Sequence, residues 1–196
     1  MVERFADETR RVFARSEREA RALNHAQVGT EHLLLALLHE DDCVAARALR
    51  LLSVTRRKAR ARILKLVDIG SRPPHDPIEF TPRVKEIIED AVFGDFWLRQ
   101  IAPGALPTGK PRRSVYPSAS GRKDGKIETD YLLFAVLAHR EGVAAHVLGD
   151  LGVDLGQAVV AVRHVRYPTL SAPGPIFGGS GVDPWSEWPP PASGGS

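Results

Sequence analysis

Residues 30–54, TEHLLLALLHEDDCVAARALRLLSV, recur at 129–153 as TDYLLFAVLAHREGVAAHVLGDLGV. The two stretches align without a gap at a shift of 99 and share 11 of 25 residues: Thr30, Leu33, Leu34, Ala36, Leu38, Val44, Ala45, Ala46, Leu49, Leu52 and Val54 in the first copy. Self-similarity of this kind marks a duplicated structural unit. Upstream, Phe5 matches Phe80, Val12 and Phe13 match Ile87 and Ile88, and Leu23 matches Leu98, now at a shift of 75. The difference, 99 − 75 = 24, places an insertion of 24 residues inside the second copy.

Each copy reads as four helices. Phe5, Thr9, Val12, Phe13, Ser16, Ala20 and Leu23 recur at steps of three and four, an apolar-to-small stripe opposed by Arg and Glu, and so predict an amphipathic helix. Gly29-Thr30-Glu31 then supplies a break, an N-cap hydroxyl and a first-turn acid. The run Leu33 to Leu38 is apolar all round, which predicts a central helix. A short helix from about Val44 to Leu52 and a basic one from Arg56 to Val67, capped by Thr55, complete the unit. The second copy repeats the order: a helix opening at Pro82 and running to about 98, one at 130–139 capped by Thr129, one at 143–151, and one at 155–165 capped by Asp154. No segment alternates with period two for long enough to predict a strand. The expected architecture is all-α, a pseudo-twofold bundle of two four-helix repeats.

The punctuation sets the domain limits. Repeat one is expected over 1–67, a linker over 68–79 (DIGSRPPHDPIE) that its prolines keep from being helical, and repeat two over 80–167, with the insertion at about 99–126. Residues 168–196 are rich in Pro, Gly and Ser and are expected to be a disordered tail, with Trp185 and Trp188 either solvated or a short docking motif.

Composition excludes several function classes. A single cysteine, Cys43, rules out an internal disulfide framework and a cysteine-based zinc knuckle. A charged N-terminus and the absence of an apolar run near the ~20 residues of a membrane span point to a cytoplasmic protein with no membrane partner. A net charge of +3 is too small to assign a nucleic-acid partner by charge alone.

With the repeats in place, ARALNHAQVGTEHLLLALLHE (20–40), FTPR (80–83) and EGVAAHVLGDLGVD (141–154) closely resemble the signatures of the Clp N-terminal repeat, the module at the front of ClpC- and ClpA-type unfoldases. Two copies in the right order cover residues 1–167. The resemblance implies a pseudo-twofold bundle of eight helices and a protein-binding role towards substrates, adaptors or a Clp unfoldase. Unfoldase relatives continue into ATPase modules, so a chain of this length is expected to be a stand-alone member and not an enzyme. Gly104 to Lys110 fits G-x-x-x-x-G-K, but Pro111 stands where the magnesium-binding Ser or Thr belongs and four prolines fall between Pro103 and Pro117. No nucleotide or other cofactor is expected.

The resemblance also implies a ligand. In ClpC-type relatives the acid of the Thr-Glu-His motif takes part in binding phosphoarginine, aided by the Thr of the opening Phe-Thr. Carried over residue by residue, the candidates are Thr30 and Glu31 in the first copy, and Thr129, Asp130 and the opening Thr81 in the second. A carboxylate can grip a guanidinium through paired charge-assisted hydrogen bonds. Ala6 departs from the opening Thr, and Asp130 is a methylene shorter than Glu. The alternative is that both acids only cap helices.

Other candidates are weaker. Cys43 follows Asp41-Asp42, whose charges oppose a thiolate, and reads as a small buried filler. His25, His32, His39, His75, His139, His146 and His164 show no metal-ligand spacing; His32 and His39 could share a helix face, but no metal is assigned. The stretch RRKARARILK (56–65) and the inserted Lys110, Arg112, Arg113, Arg122, Lys123 and Lys126 make a basic patch that supports a rival reading as a nucleic-acid-associated regulator.

Overall fold

Eight helices occur among the residues that the structure, a computed structural model, describes, which are 4–93 and 126–166. They are α1 (Asp7–Ala22), α2 (Thr30–Leu37), α3 (Val44–Leu51), α4 (Arg56–Leu66), α5 (Pro82–Phe93), α6 (Thr129–Ala138), α7 (Val143–Asp150) and α8 (Leu155–Arg166). The order and type match the expectation, four helices per repeat. Most of the inserted segment, its G-x-x-x-x-G-K match and the Trp185/Trp188 tail lie outside the described residues.

The helices form where local chemistry favours them. On α1 the stripe read from the sequence is buried through Thr9, Val12, Ser16 and Ala20, with Leu23 just beyond. The Thr55 hydroxyl accepts the Lys58 N–H and starts α4, while Asp154 and Gln157 cap α8 reciprocally. Helices α3 and α7 stop in the same way. Ser53 (φ 61°) and Gly152 (φ 78°) are equivalent left-handed residues, and Val54 and Val153 return their N–H groups to Leu49 and Leu148, 2.9 Å in each case.

All eight residues of α2 are buried, and so are Thr129 to Leu137 of α6, which makes these two the axis of the bundle. Around them the repeats are crossed. Helix α3 packs against α8 and α4 against α7, so the third helix of each repeat meets the fourth of the other. One core results, joining Leu33–Leu38 and Leu49 to Leu132–Leu137 and Leu148. Each fully buried leucine contributes about 1.5–3 kcal/mol by its transfer from water.

A short strand pair contradicts the expectation of no strand. Gln27–Val28 (β1) pairs in parallel with Glu79–Phe80 (β2), and a single bridge joins Phe5 to Ile127. The segment before α2 thus pairs with the opening of repeat two, and the segment before α6 with the opening of repeat one. Two residues cannot show period-two alternation, so no sequence pattern announced them. Phe13 sits between Phe5 and Phe80, with edge-on ring centroids 5.1 and 6.1 Å away, and ties the two openings together. Among the described residues no single helix is long and apolar enough to cross a membrane.

Candidate functional site

The crossing decides which candidate residues meet. The Thr81 N–H donates to the Val28 carbonyl at 3.0 Å, so the opening Thr of repeat two lies beside Thr30-Glu31 of repeat one. The Ala6 N–H donates to the Ile127 carbonyl at 2.9 Å, beside Thr129-Asp130. The acid of each repeat is therefore approached by the opening residue of the other. The intact opening, Thr81, belongs with Glu31, and the altered one, Ala6, with Asp130. The Thr81 hydroxyl also accepts the Val84 N–H at 3.3 Å and caps α5.

The two other threonines have a different task from the one expected. Thr30 and Thr129 are the first residues of their helices, whose N-caps are Gly29 and Glu128, so neither hydroxyl caps its own helix. The Thr30 hydroxyl accepts the Ala144 N–H at 3.1 Å, and that of Thr129 accepts the Ala45 N–H at 3.3 Å. Each satisfies an orphan donor in the first turn of a helix of the opposite repeat. Both side chains are buried.

Glu31 sits in the first turn of α2, with its carboxylate folded back over Gly29. A Cβ at Gly29 would lie 2.5 Å from both carboxylate oxygens, so only glycine leaves room for this rotamer. Two histidines line the site in a relay. The Gly29 N–H donates to His32 Nδ1 at 2.8 Å, which places the His32 proton on Nε2. That proton is donated to His25 Nδ1 at 3.0 Å, and His25 Nε2–H donates to the Asp68 carbonyl at 2.8 Å. Burial pushes the His32 pKa down to about 3, helped by His25, so the ring stays neutral. The His32 Nδ1, 3.6 Å from the carboxylate, therefore supplies no charge to Glu31. Burial pushes the Glu31 carboxyl up, against the smaller lowering by its own backbone N–H and by His25. Among the described residues Glu31 has no Lys or Arg partner.

His25, Glu31 and His32 offer ligand atoms within 4.8 Å of one another, a grouping sequence reading missed because it looked to His39. The hydrogen bonds argue against a metal there. A ligating imidazole donates its other N–H to an acceptor. His32 does the reverse, accepting from Gly29 at Nδ1, and has no lone pair left at Nε2.

The second site is built differently. Asp130, fully buried, receives Arg166 Nε at 2.8 Å and Nη2 at 2.5 Å, and the same Nη2 reaches Glu128 at 2.6 Å. At the shift of 99, Glu128 replaces Gly29 and Arg166 replaces Val67. The two acids are thus opposites. Asp130 carries an internal guanidinium from the last turn of α8, and Glu31 carries none.

Cys43 and part of the basic helix are absorbed by the scaffold, while the inserted Lys110, Arg112, Arg113, Arg122 and Lys123 lie outside the described residues. Cys43 is the buried N-cap of α3, its sulfur accepting the Ala46 N–H at 3.4 Å. Of the basic helix, Arg56 reaches buried Glu19 at 2.7 Å, Arg60 lies 3.6 Å from the same carboxylate, and Arg62 approaches Asp150 at 3.8 Å. Half of its basic residues are therefore turned to acids of this chain.

Comparison with known proteins places this geometry. Residues 4–94 match the family described as the Clp repeat (R) N-terminal domain. The chain is 32% identical over 158 residues to chaperone protein ClpB of Oceanobacillus iheyensis, and 31% identical over 158 residues to the negative regulator of genetic competence ClpC/MecB of Bacillus subtilis, covering 81% of this chain in each case. It spans 16% of the length of either relative. The fold is shared with the N-terminal domain of ClpD from Arabidopsis thaliana, with a TM-score of 0.57 and 22% identity over 83% of this chain and 94% of that one. It is shared as well with the Hsp104 N-terminal domain of Candida albicans, with a TM-score of 0.55 and 14% identity over 83% and 91%.

Proposed function

Because the chain belongs to the Clp repeat N-terminal domain family, we propose that it is a non-catalytic protein-binding module of a Clp chaperone–protease system, and that it grips a guanidinium, that of a phosphoarginine-marked substrate or adaptor, at Glu31. The observation that carries this reading is the buried Glu31 carboxylate, which has no Lys or Arg partner among the described residues while its counterpart Asp130 has Arg166. A buried carboxylate without a counter-ion is costly, and a guanidinium arriving with paired charge-assisted bonds offsets that cost. The Thr81 N–H on the Val28 carbonyl, which continues the β1–β2 pairing, supports the reading by tying the opening of repeat two to the segment just before Glu31.

The test is calorimetric titration of a phosphoarginine peptide into the full chain. Wild type and Asp130→Ala should bind alike, and Glu31→Ala should bind at least about tenfold more weakly, the loss expected for one charge-assisted hydrogen-bonded pair. Equal affinity for wild type and Glu31→Ala removes Glu31 from the site. The basic helix gives the nucleic-acid alternative no added support, since Arg56 and Arg60 face Glu19.

A further inference from the structure

The guanidinium of Arg166 lies where the carboxylate of repeat two would hold a ligand. Its Nε and Nη2 converge on one oxygen of Asp130, and Nη2 also reaches Glu128; Arg166 itself is only 13% exposed. One planar fork shared between Asp130 and Glu128 uses charge-assisted hydrogen bonds that a free guanidinium can also make. We propose that Arg166 is a built-in ligand: the second repeat keeps a guanidinium-binding site, at Asp130 and Glu128, and fills it from within. The chain then presents one guanidinium site to the outside, at Glu31, not two.

Several linked differences support this. Glu128 stands where repeat one has Gly29, and Arg166 stands where it has Val67, so acceptor and occupant appear together in one copy and are both missing from the other. Gly29 leaves the space into which Glu31 folds, and Glu128 instead adds a second acceptor for the same fork. The opening residue beside Asp130 is Ala6, whose methyl offers an external ligand no hydroxyl. An ordinary surface ion pair would leave its acid partly in water, whereas Asp130 is fully buried and its charge is neutralised by Arg166 alone among the described arginines and lysines.

The inference rests on reading these acids as guanidinium sites, and its test is separable from that of Glu31. The full chain is prepared as wild type, Arg166→Ala, Arg166→Gln and Arg166→Ala/Asp130→Asn, and melted with millimolar ethylguanidinium chloride, with ethylammonium chloride as the control. Ethylguanidinium should raise the Tm of both single variants above the ammonium control, and by more than it raises that of wild type or the double variant, in which Glu31 alone is open to it. The phosphoarginine peptide should then bind wild type at one site and Arg166→Ala at two. If wild type shows no site but ethylguanidinium still restores the variants, the Glu31 reading fails and the built-in ligand stands. If ethylguanidinium stabilises the Arg166 variants no more than wild type, or the peptide binds wild type at one site and Arg166→Ala also at one, Arg166 is a structural ion pair only and the inference is overturned. Should neither single variant melt cooperatively, recovery of helical circular dichroism on adding ethylguanidinium is the readout, and no recovery counts against it.

Discussion

The Thr30 hydroxyl accepts the N–H of Ala144 at 3.1 Å, across 114 residues of chain, and Thr129 returns the same bond to Ala45. Each threonine is thus the cap of a helix to which it does not belong. Gly142 makes room, since a Cβ there would lie 3.1 Å from the Thr30 hydroxyl oxygen. Thr30→Val and Thr129→Val keep the shape and remove the acceptor. Each should lower the unfolding free energy by about 1–2 kcal/mol, the cost of a lost cap and an unpaired buried donor. Urea titration reads that loss, and unchanged phosphoarginine affinity in both variants would confine these threonines to the scaffold.

Glu31 should make the fold prefer acid. Its folded pKa is raised above the unfolded value, so its contribution is fully present below the unfolded pKa and is lost as pH rises through the folded pKa. Glu31→Gln removes this dependence. Stability measured from pH 4 to 8 should therefore show the variant gaining on wild type as pH rises and then running parallel. A difference that does not change with pH would mean that Glu31 is not held in a desolvated state.

Ser53 occupies the left-handed position that Gly152 fills in the other repeat. A non-glycine residue pays about 1–2 kcal/mol there, and glycine returns part of that gain through the flexibility of the unfolded chain. Ser53→Gly should stabilise by about 0.5–1 kcal/mol and raise the Tm by a few degrees. Gly152→Ala should shift it in the opposite direction.

Cys43 should be inert in the native protein. Burial pushes its thiol up, with Ala46 N–H and the Thr129 hydroxyl acting against that shift and Glu8 and Glu40 adding to it. Iodoacetamide at pH 8 should label it only as fast as the protein opens, and Thr129→Val, by loosening the α3 cap, should speed labelling. Rapid labelling of wild type would show the thiol to be accessible.

The helices and their pairing into two copies were legible because a run such as Leu33 to Leu38 and its match at 132–137 carry their own register. The site was legible only as a set of residue types. Thr30 and Thr129 were read as caps of the helices they begin, since a sequence shows a hydroxyl beside a helix start but not a target 114 residues away. The histidine relay had a signal that was passed over: His32 stands three residues after the N-cap Gly29, the position from which a side chain reaches back to the cap N–H. Arg166 had one too, in the substitution of a cation for Val67 at the end of the repeat, but nothing local shows that it turns towards Asp130.

The parallel pairing of Val28 with Phe80, and of Phe5 with Ile127, has an evolutionary consequence. Two copies exchanging segments in this way are what a homodimer does, and here both partners are encoded in one gene. In a true two-fold dimer every substitution appears at both sites at once, so the sites stay identical. Fusion removes that constraint: one half can acquire an acid and an arginine that satisfy each other while the other half keeps its carboxylate open, and a single polypeptide can carry two sites with different fates.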